Sequence, residues 1–232
     1  MSAESFRLWA EDKQVYGPVD TATLIQWIHD DRVFPETFVQ SQSDQRWRRA
    51  GGVQALHAQF AAATEAGLST AAGGPSPSAS DLRGLPVFAD LSNDELAQIA
   101  ALGQFYEAEQ SKLIVQQGDP CDAVYFILEG ELRARLIIGV VDRMDKTLSK
   151  MKAGEFFGEL GMFLQDKRTA DVVAETPCLL FRMSTNAFEL LIKQIPALGS
   201  RILFNIGATM ARRIADDNQR YYREVTSQFL WS

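Results

Sequence analysis

The sequence predicts an α+β chain in two parts. A small α+β module comes first, followed by a jelly-roll-like β-barrel with flanking helices and a long C-terminal helix. Three observations carry this. Residues 61–80, AAATEAGLSTAAGGPSPSAS, lose nearly all large apolar side chains and end in glycines and spaced prolines, the composition of a flexible linker. Strand-like runs at 112–116, 123–128, 131–138 and 147–151 are punctuated by Gly118, Gly130 and Gly154, as in antiparallel barrels. In a helix expected from about Ala197 to Gln228, Ile206, Met210, Ile214, Asn218, Tyr221, Val225 and Phe229 recur at spacings of three or four, one face of a helix. The expected units are therefore 1–60, a linker at 61–80, and 81–232.

Bulk composition narrows the function. A chain of 232 residues has room for two cores, and 46% apolar with 23% charged residues is ordinary for a globular protein. A net charge of −7 argues against a polyanion as the main partner. No apolar run is long enough to span a bilayer, and the start MSAESFR lacks the basic and apolar regions of a secretory signal. Cys121 and Cys178 have no metal-like spacing and read as reduced thiols of a cytoplasmic protein. The expectation is a cytoplasmic chain with no membrane contact and no resident metal.

The N-terminal module holds Trp9, Trp27 and Trp47, three of the four tryptophans. FRLW, residues 6–9, reads as a strand, and Glu11-Asp12-Lys13 as a polar turn. Residues 21–30 read as a helix, N-capped by Asp20 or Thr21, with Leu24, Ile25 and Ile28 on its apolar face. Val33-Phe34 and Thr37-Phe38-Val39 read as short strands. With Tyr16-Gly17-Pro18 and Trp47-Arg48, the run from about Phe6 to Leu56 resembles the GYF domain in its bacterial GYF-like variant. It departs at Glu11, where the family usually has tyrosine, and at Val19, where it usually has phenylalanine. The resemblance implies a proline-rich protein partner, docked on Trp9, Tyr16, Trp27 and Phe34, because aromatic faces suit preformed polyproline helices. The same aromatics would equally serve as the core of so small a module.

In the second module, Ser92 and Glu95 form a capping box ahead of a helix with Leu96, Ile99 and Leu102 on one face. Residues 156–174, FFGELGMFLQDKRTADVVA, hold the densest chemistry of the chain. Gly158 lets the backbone approach a ligand. The short helix-forming run after it can aim free N–H groups at an anion. Arg168 can fork-bond a phosphate, and Glu159 can accept from a ribose hydroxyl. This run resembles the phosphate-binding cassette of cyclic-nucleotide-binding domains, the type found in the catabolite activator protein and in protein kinase A regulatory subunits. Gln117-Gly118-Asp119 and Tyr125-Phe126-Ile127-Leu128-Glu129-Gly130 match other positions of that family, so the resemblance extends from about Leu82 to Arg223. It implies that Gly158, Glu159, Leu160, Arg168, Thr169 and Ala170 hold the cyclic phosphate and ribose.

After the barrel, residues 185–194 read as a helix interrupted at Pro196. The long helix that follows resembles the one through which the activator family dimerises and covers the base, implying a homodimer, with Asn218 on the seam. Met210-Ala211-Arg212-Arg213 sets a register that places Asp217 and Asn218 at the base. A carboxylate accepts from guanine N–H groups but not from adenine N1, so cGMP stands beside cAMP as the ligand. Cyclic di-GMP is the alternative, with Arg133, Arg135 and Arg143 as extra phosphate contacts. A constitutive scaffold with a non-functional pocket is the other alternative, which Glu159 and Arg168 oppose. The sequence ends at Ser232 without a helix-turn-helix, so no direct DNA binding is expected. No catalytic set, phosphate-binding loop or nucleophile elbow is present, and no enzyme is expected. The reading is a cyclic-nucleotide sensor and adaptor that signals through protein–protein contact.

Overall fold

The computed structural model describes residues 4–30, 32–60, 78–138, 144–164 and 166–230. In the N-terminal module β1 (Ser5–Trp9) and β2 (Val15–Asp20) are followed by α1 (Thr21–His29), β3 (Phe38–Ser41), β4 (Trp47–Arg49) and α2 (His57–Phe60), with sheet order β2-β1-β3-β4. The Asp20 carboxylate caps α1 by accepting from the Thr23 N–H at 2.8 Å. Phe6, Leu24, Val39, Ala50 and Leu56 form the module's core. The short strand expected at Val33-Phe34 does not form. The N–H groups of Arg32 and Val33 both return to the Trp27 carbonyl, extending the helix end through this stretch, and Pro35 has no N–H to offer a ladder. Tyr16-Gly17-Pro18 instead lies within β2.

In the second module two 3-10 turns, Asp81–Gly84 and Pro86–Phe88, lead into α3 (Asn93–Leu102), where both bonds of the Ser92–Glu95 capping box are present. Then come β5 (Gln104–Ala108), β6 (Leu113–Val115), β7 (Ala123–Glu129), β8 (Glu131–Ile138), β9 (Met144–Lys152) and β10 (Phe156–Phe157). α4 (Glu159–Leu164), β11 (Asp171–Ala174), β12 (Cys178–Ser184), α5 (Thr185–Gln194) and α6 (Pro196–Leu230) complete the order. The strands form two four-stranded sheets, β10-β7-β12-β5 and β6-β11-β8-β9, the two layers of a jelly roll. Phe126 and Phe181 face each other across β7 and β12. Phe88 and Phe156 pack on Phe126 with ring centroids at 4.9 and 5.8 Å. Four strands beyond the four expected runs, β5, β10, β11 and β12, are needed to close this pair of sheets.

The two modules share one core. Trp9, Phe38 and Trp47 are buried in the same cluster as Leu96 and Ile99 of α3 and Phe188, Leu190 and Leu191 of α5. Arg46 pairs with Asp94 at 3.1 Å and Lys13 with Glu189 at 2.5 Å across the junction. The linker expected at 61–80 lies outside the described residues up to 77. α6 is anchored on the barrel by buried Leu198, Ile202 and Ile206 and by Met210. Beyond that its apolar stripe emerges, with Ile214 and Tyr221 exposed.

Two turn glycines separate backbone strain from crowding. Gly118 and Gly130 have φ of +89° and +91°, a conformation that favours glycine. A Cβ at Gly118 meets nothing within 4 Å, but at Gly130 it would lie 2.4 Å from the Pro177 carbonyl oxygen. Gly118→Ala is expected to cost about 1–2 kcal/mol, and Gly130→Ala distinctly more. Urea midpoints of the two variants check this order.

Candidate ligand site

Gly158 joins β10 to α4 with φ +88°, and a Cβ there would stand 2.4 Å from Arg168 Nη1 and 2.8 Å from the Ala123 carbonyl oxygen. Only glycine lets this turn close over the guanidinium. Arg168 is 6% exposed. Its backbone is pinned on both sides: its N–H donates to the Asp119 carbonyl at 2.8 Å, and its carbonyl accepts from the Gly118 N–H at 2.9 Å. Gln117-Gly118-Asp119 therefore sets where the arginine enters the hollow.

The guanidinium is half paired. Arg168 Nη2 donates to Asp122 Oδ1 at 2.9 Å, whereas Nη1 is buried without a hydrogen-bond partner among the described residues. The Asp122 carboxylate also takes Arg182, whose Nε donates to the Tyr125 hydroxyl at 3.3 Å. Burial alone would raise the Asp122 pKa, but Arg182 and Arg168 together hold it below the usual carboxylate range. The Tyr125 ring lies 5.7 Å from the Arg168 guanidinium carbon and stacks on Phe157 at 5.0 Å, giving the hollow an aromatic floor.

Glu159, the first residue of α4, is 8% exposed. Burial pushes its carboxyl up, partly offset by its own backbone N–H, Arg213 and Arg168. Arg213 reaches in from α6. Its Nη1 donates to the Phe156 carbonyl at 2.9 Å and stands 3.7 Å from Glu159 Oε1, while its Nη2 is buried with no hydrogen-bond partner among the described residues. Two guanidinium nitrogens lacking acceptors thus accompany a buried carboxylate. This suits a ligand that brings an anion and a hydroxyl donor together. Cys121 Sγ closes the edge by donating to the Gly158 carbonyl at 3.2 Å, and burial pushes this thiol up, so it stays neutral at pH 7.

Of the residues singled out in sequence, Gly158, Glu159 and Arg168 come together at this hollow, Ala170 is buried in the barrel core with Tyr125 and Phe157, and Leu160 and Thr169 are exposed. Asp217 and Asn218 are not brought to the cassette within one chain. Both are exposed, and Asp217 pairs with Arg220 at 3.1 Å. The α6 residue at the cassette is Arg213, about one helical turn earlier. Arg133 and Arg135 are not free for a phosphate either: Asp145 engages both, with Glu175 on Arg133 and Asp171 on Arg135. Arg143 lies outside the described residues. Sequence reasoning missed Asp122, Arg182, Tyr125 and Arg213 as site residues. Arg213 had a signal, since it closes the Met210–Arg213 motif. Asp122 had none, because its role arises from β12 pairing with β7 and setting Arg182 opposite Tyr125.

The aromatics singled out in the N-terminal module line a separate cavity of about 750 Å³, with Trp9, Tyr16, Trp27 and Phe34 in its wall. Tyr16 and Phe34 are exposed, but Trp9 is 1% exposed and belongs to the core shared with the second module.

Residues 106–195 match the family model of the cyclic nucleotide-binding domain, and residues 9–56 match that of GYF domain 2. Glutaminase 1 of Bradyrhizobium diazoefficiens is 31% identical over 135 residues, which cover 58% of this chain and 21% of the relative. The cyclic AMP receptor protein of Thermus thermophilus is 27% identical over 135 residues, covering 58% of this chain and 60% of the relative. The solved structure of a cyclic nucleotide-binding domain from Methylobacillus flagellatus superposes with a TM-score of 0.53 at 27% identity, covering 61% of this chain and 78% of that one. The chain spans about a fifth of the length of the first curated relatives it matches, 21% and 20%.

Glu159 links the site to stability. A carboxyl whose folded pKa lies above its unfolded value penalises the fold once pH rises past the unfolded value. Burial is the cause here. Glu159→Gln is therefore expected to raise the thermal midpoint of the unliganded protein at pH 7, with the gain vanishing as pH falls below that of an ordinary glutamate. Calorimetric scans at pH 7 and pH 4 check both signs.

Proposed function

We propose that this chain, a cyclic nucleotide-binding domain joined to a GYF domain, senses a cyclic mononucleotide, cAMP or cGMP, and passes its occupancy to a protein partner. The observation that carries this reading is the buried Arg168 guanidinium, with Nη1 unpaired across Gly158 and the Glu159 carboxylate in the same hollow. An anion at Nη1 completes the guanidinium's pairing, and a ribose hydroxyl gives the Glu159 carboxylate a further donor. Cyclic di-GMP remains the second ligand, less favoured because Arg133 and Arg135 are already held in ion pairs. Proline-rich segments are the proposed partners of the aromatic cavity, through Tyr16, Trp27 and Phe34, with Trp9 as its buried wall.

The emerged stripe of α6 supports a homodimer. Ile214 and Tyr221 expose apolar surface beyond the point where the helix leaves the barrel, and a second copy would bury it. Asp217 and Asn218 would reach a bound base only from the second chain of such a dimer.

Calorimetry against cAMP, cGMP and cyclic di-GMP tests the ligand class. Arg168→Ala is expected to weaken nucleotide binding at least thirtyfold, the scale of about 2–5 kcal/mol for removing one partner of a buried charge pair. Unchanged affinity would remove the cassette assignment. Sedimentation at micromolar concentration is expected to give a dimer for the whole chain and a monomer after truncation before Ala197. A monomer for the whole chain, with and without nucleotide, would remove the dimer.

A further inference from the structure

The aromatic cavity is not built by its own module alone. Asn186, the second residue of α5, lines it, and Asn186 Oδ1 accepts from the Trp9 indole N–H at 2.7 Å. Two further side chains of the same helix hold the same corner. Lys193 Nζ lies 5.4 Å over the Trp9 ring, and Glu189 takes Lys13 at 2.5 Å. Residues 186, 189 and 193 are three and four apart, so one face of α5 grips the N-terminal module.

The other end of this connection lies at the cassette. The Asp122 carbonyl accepts from the Thr185 N–H at 2.9 Å, at the first turn of α5. The carboxylate of the same residue bridges Arg168 and Arg182. Its neighbours Cys121 and Ala123 both approach Gly158. Arg182 stands near Arg49 of β4, whose pKa is lowered to about 10, chiefly by burial and then by the charge of Arg182.

We infer that the aromatic cavity and the cyclic-nucleotide cassette are coupled through Asp122 and α5, with Asn186 as the residue that positions Trp9 for the partner. This rests on the cassette reading above. The driving interaction is electrostatic. A phosphate on Arg168 Nη1 is a second anion beside Asp122, which already holds Nη2. Two like charges on one guanidinium repel, and because Arg168 is buried while Asp122 is exposed, the carboxylate is the partner free to give way. Asp122 is then drawn toward Arg182, and the residue that moves is the one whose carbonyl receives the start of α5. The ligand thus discriminates between two positions of Asp122, which is what a population shift requires. By reciprocity, a partner that displaces Trp9 changes nucleotide affinity by the same factor.

The test follows the Trp9 indole resonance by ¹⁵N NMR in the full chain, assigned with Trp9→Phe, as cAMP and cGMP are titrated separately. Calorimetry in parallel reports whether each nucleotide binds. The coupling predicts that the Trp9 indole resonance shifts with saturation in the native protein. In Asn186→Ala the shift falls to less than about a tenth, while nucleotide affinity stays within about tenfold, toward the low end of ordinary coupling. Asn186→Asp, which keeps an acceptor, retains the shift. Nucleotide binding without movement of the native Trp9 resonance overturns the inference and leaves the cassette reading standing, as does a full shift in Asn186→Ala. Should Asn186→Ala fail to fold, the native titration and Asn186→Asp decide alone. Silence of the calorimeter toward both nucleotides removes the cassette reading, and the inference with it.

Discussion

A buried guanidinium has to be answered by a negative charge, and the second module is arranged around that demand at Arg168. The residue is almost fully enclosed, yet only one of its terminal nitrogens meets a carboxylate. An isolated buried charge costs several kcal/mol even after relaxation, so the unliganded state is under-satisfied at this position. Asp122 relieves part of that demand and is itself shared with Arg182. The turn that covers the guanidinium must be glycine, and the strand before it, β10, is held to β7 by Phe156 and Phe157. Barrel closure, the Gly158 turn and the Asp122 bridge thus place one cation where water is scarce and an arriving anion gains most.

Much of the second module was legible in the sequence because its signals are local. The Ser92–Glu95 box, the glycines at positive φ and the FFGEL turn each declare their geometry within a few residues. The N-terminal module showed the opposite. Its aromatic spacing placed β1 and α1, but Val33-Phe34 read as a strand because two apolar residues before a proline look extended, whereas the backbone there is spent on closing α1 against the Trp27 carbonyl. The short strands β5 and β11 lacked a signal of their own, being half-exposed or only four residues long. They exist because neighbouring strands supply a ladder.

The candidate site divides along the same line. Glu159 and Arg168 sit in one contiguous motif and could be named from it. Asp122 comes from the loop before β7, Tyr125 from β7, Arg182 from β12 and Arg213 from α6, and only the pairing of β12 with β7 and the docking of α6 bring them to the hollow. Within one chain Asp217 and Asn218 stand exposed on α6, away from the cassette, for a geometric reason. A register taken from Met210–Arg213 fixes the helical face but not how far the barrel follows the helix, and the barrel ends at Arg213.

The junction between the modules changes what the N-terminal aromatics can be. Three of the side chains that distinguish that module, Trp9, Phe38 and Trp47, are buried against α3 and α5, so the module completes its core with its neighbour. A domain of about sixty residues has little core of its own, and borrowing one joins its stability to that of the barrel. The same borrowing leaves Trp9 with two roles at once, core residue on one side and cavity wall on the other. A tryptophan held by its indole N–H can serve both, because the ring packs while the polar edge reports on its acceptor. With Asn186, in the first turn of α5, as that acceptor, the packing of the N-terminal module is set in part by a side chain of the barrel module.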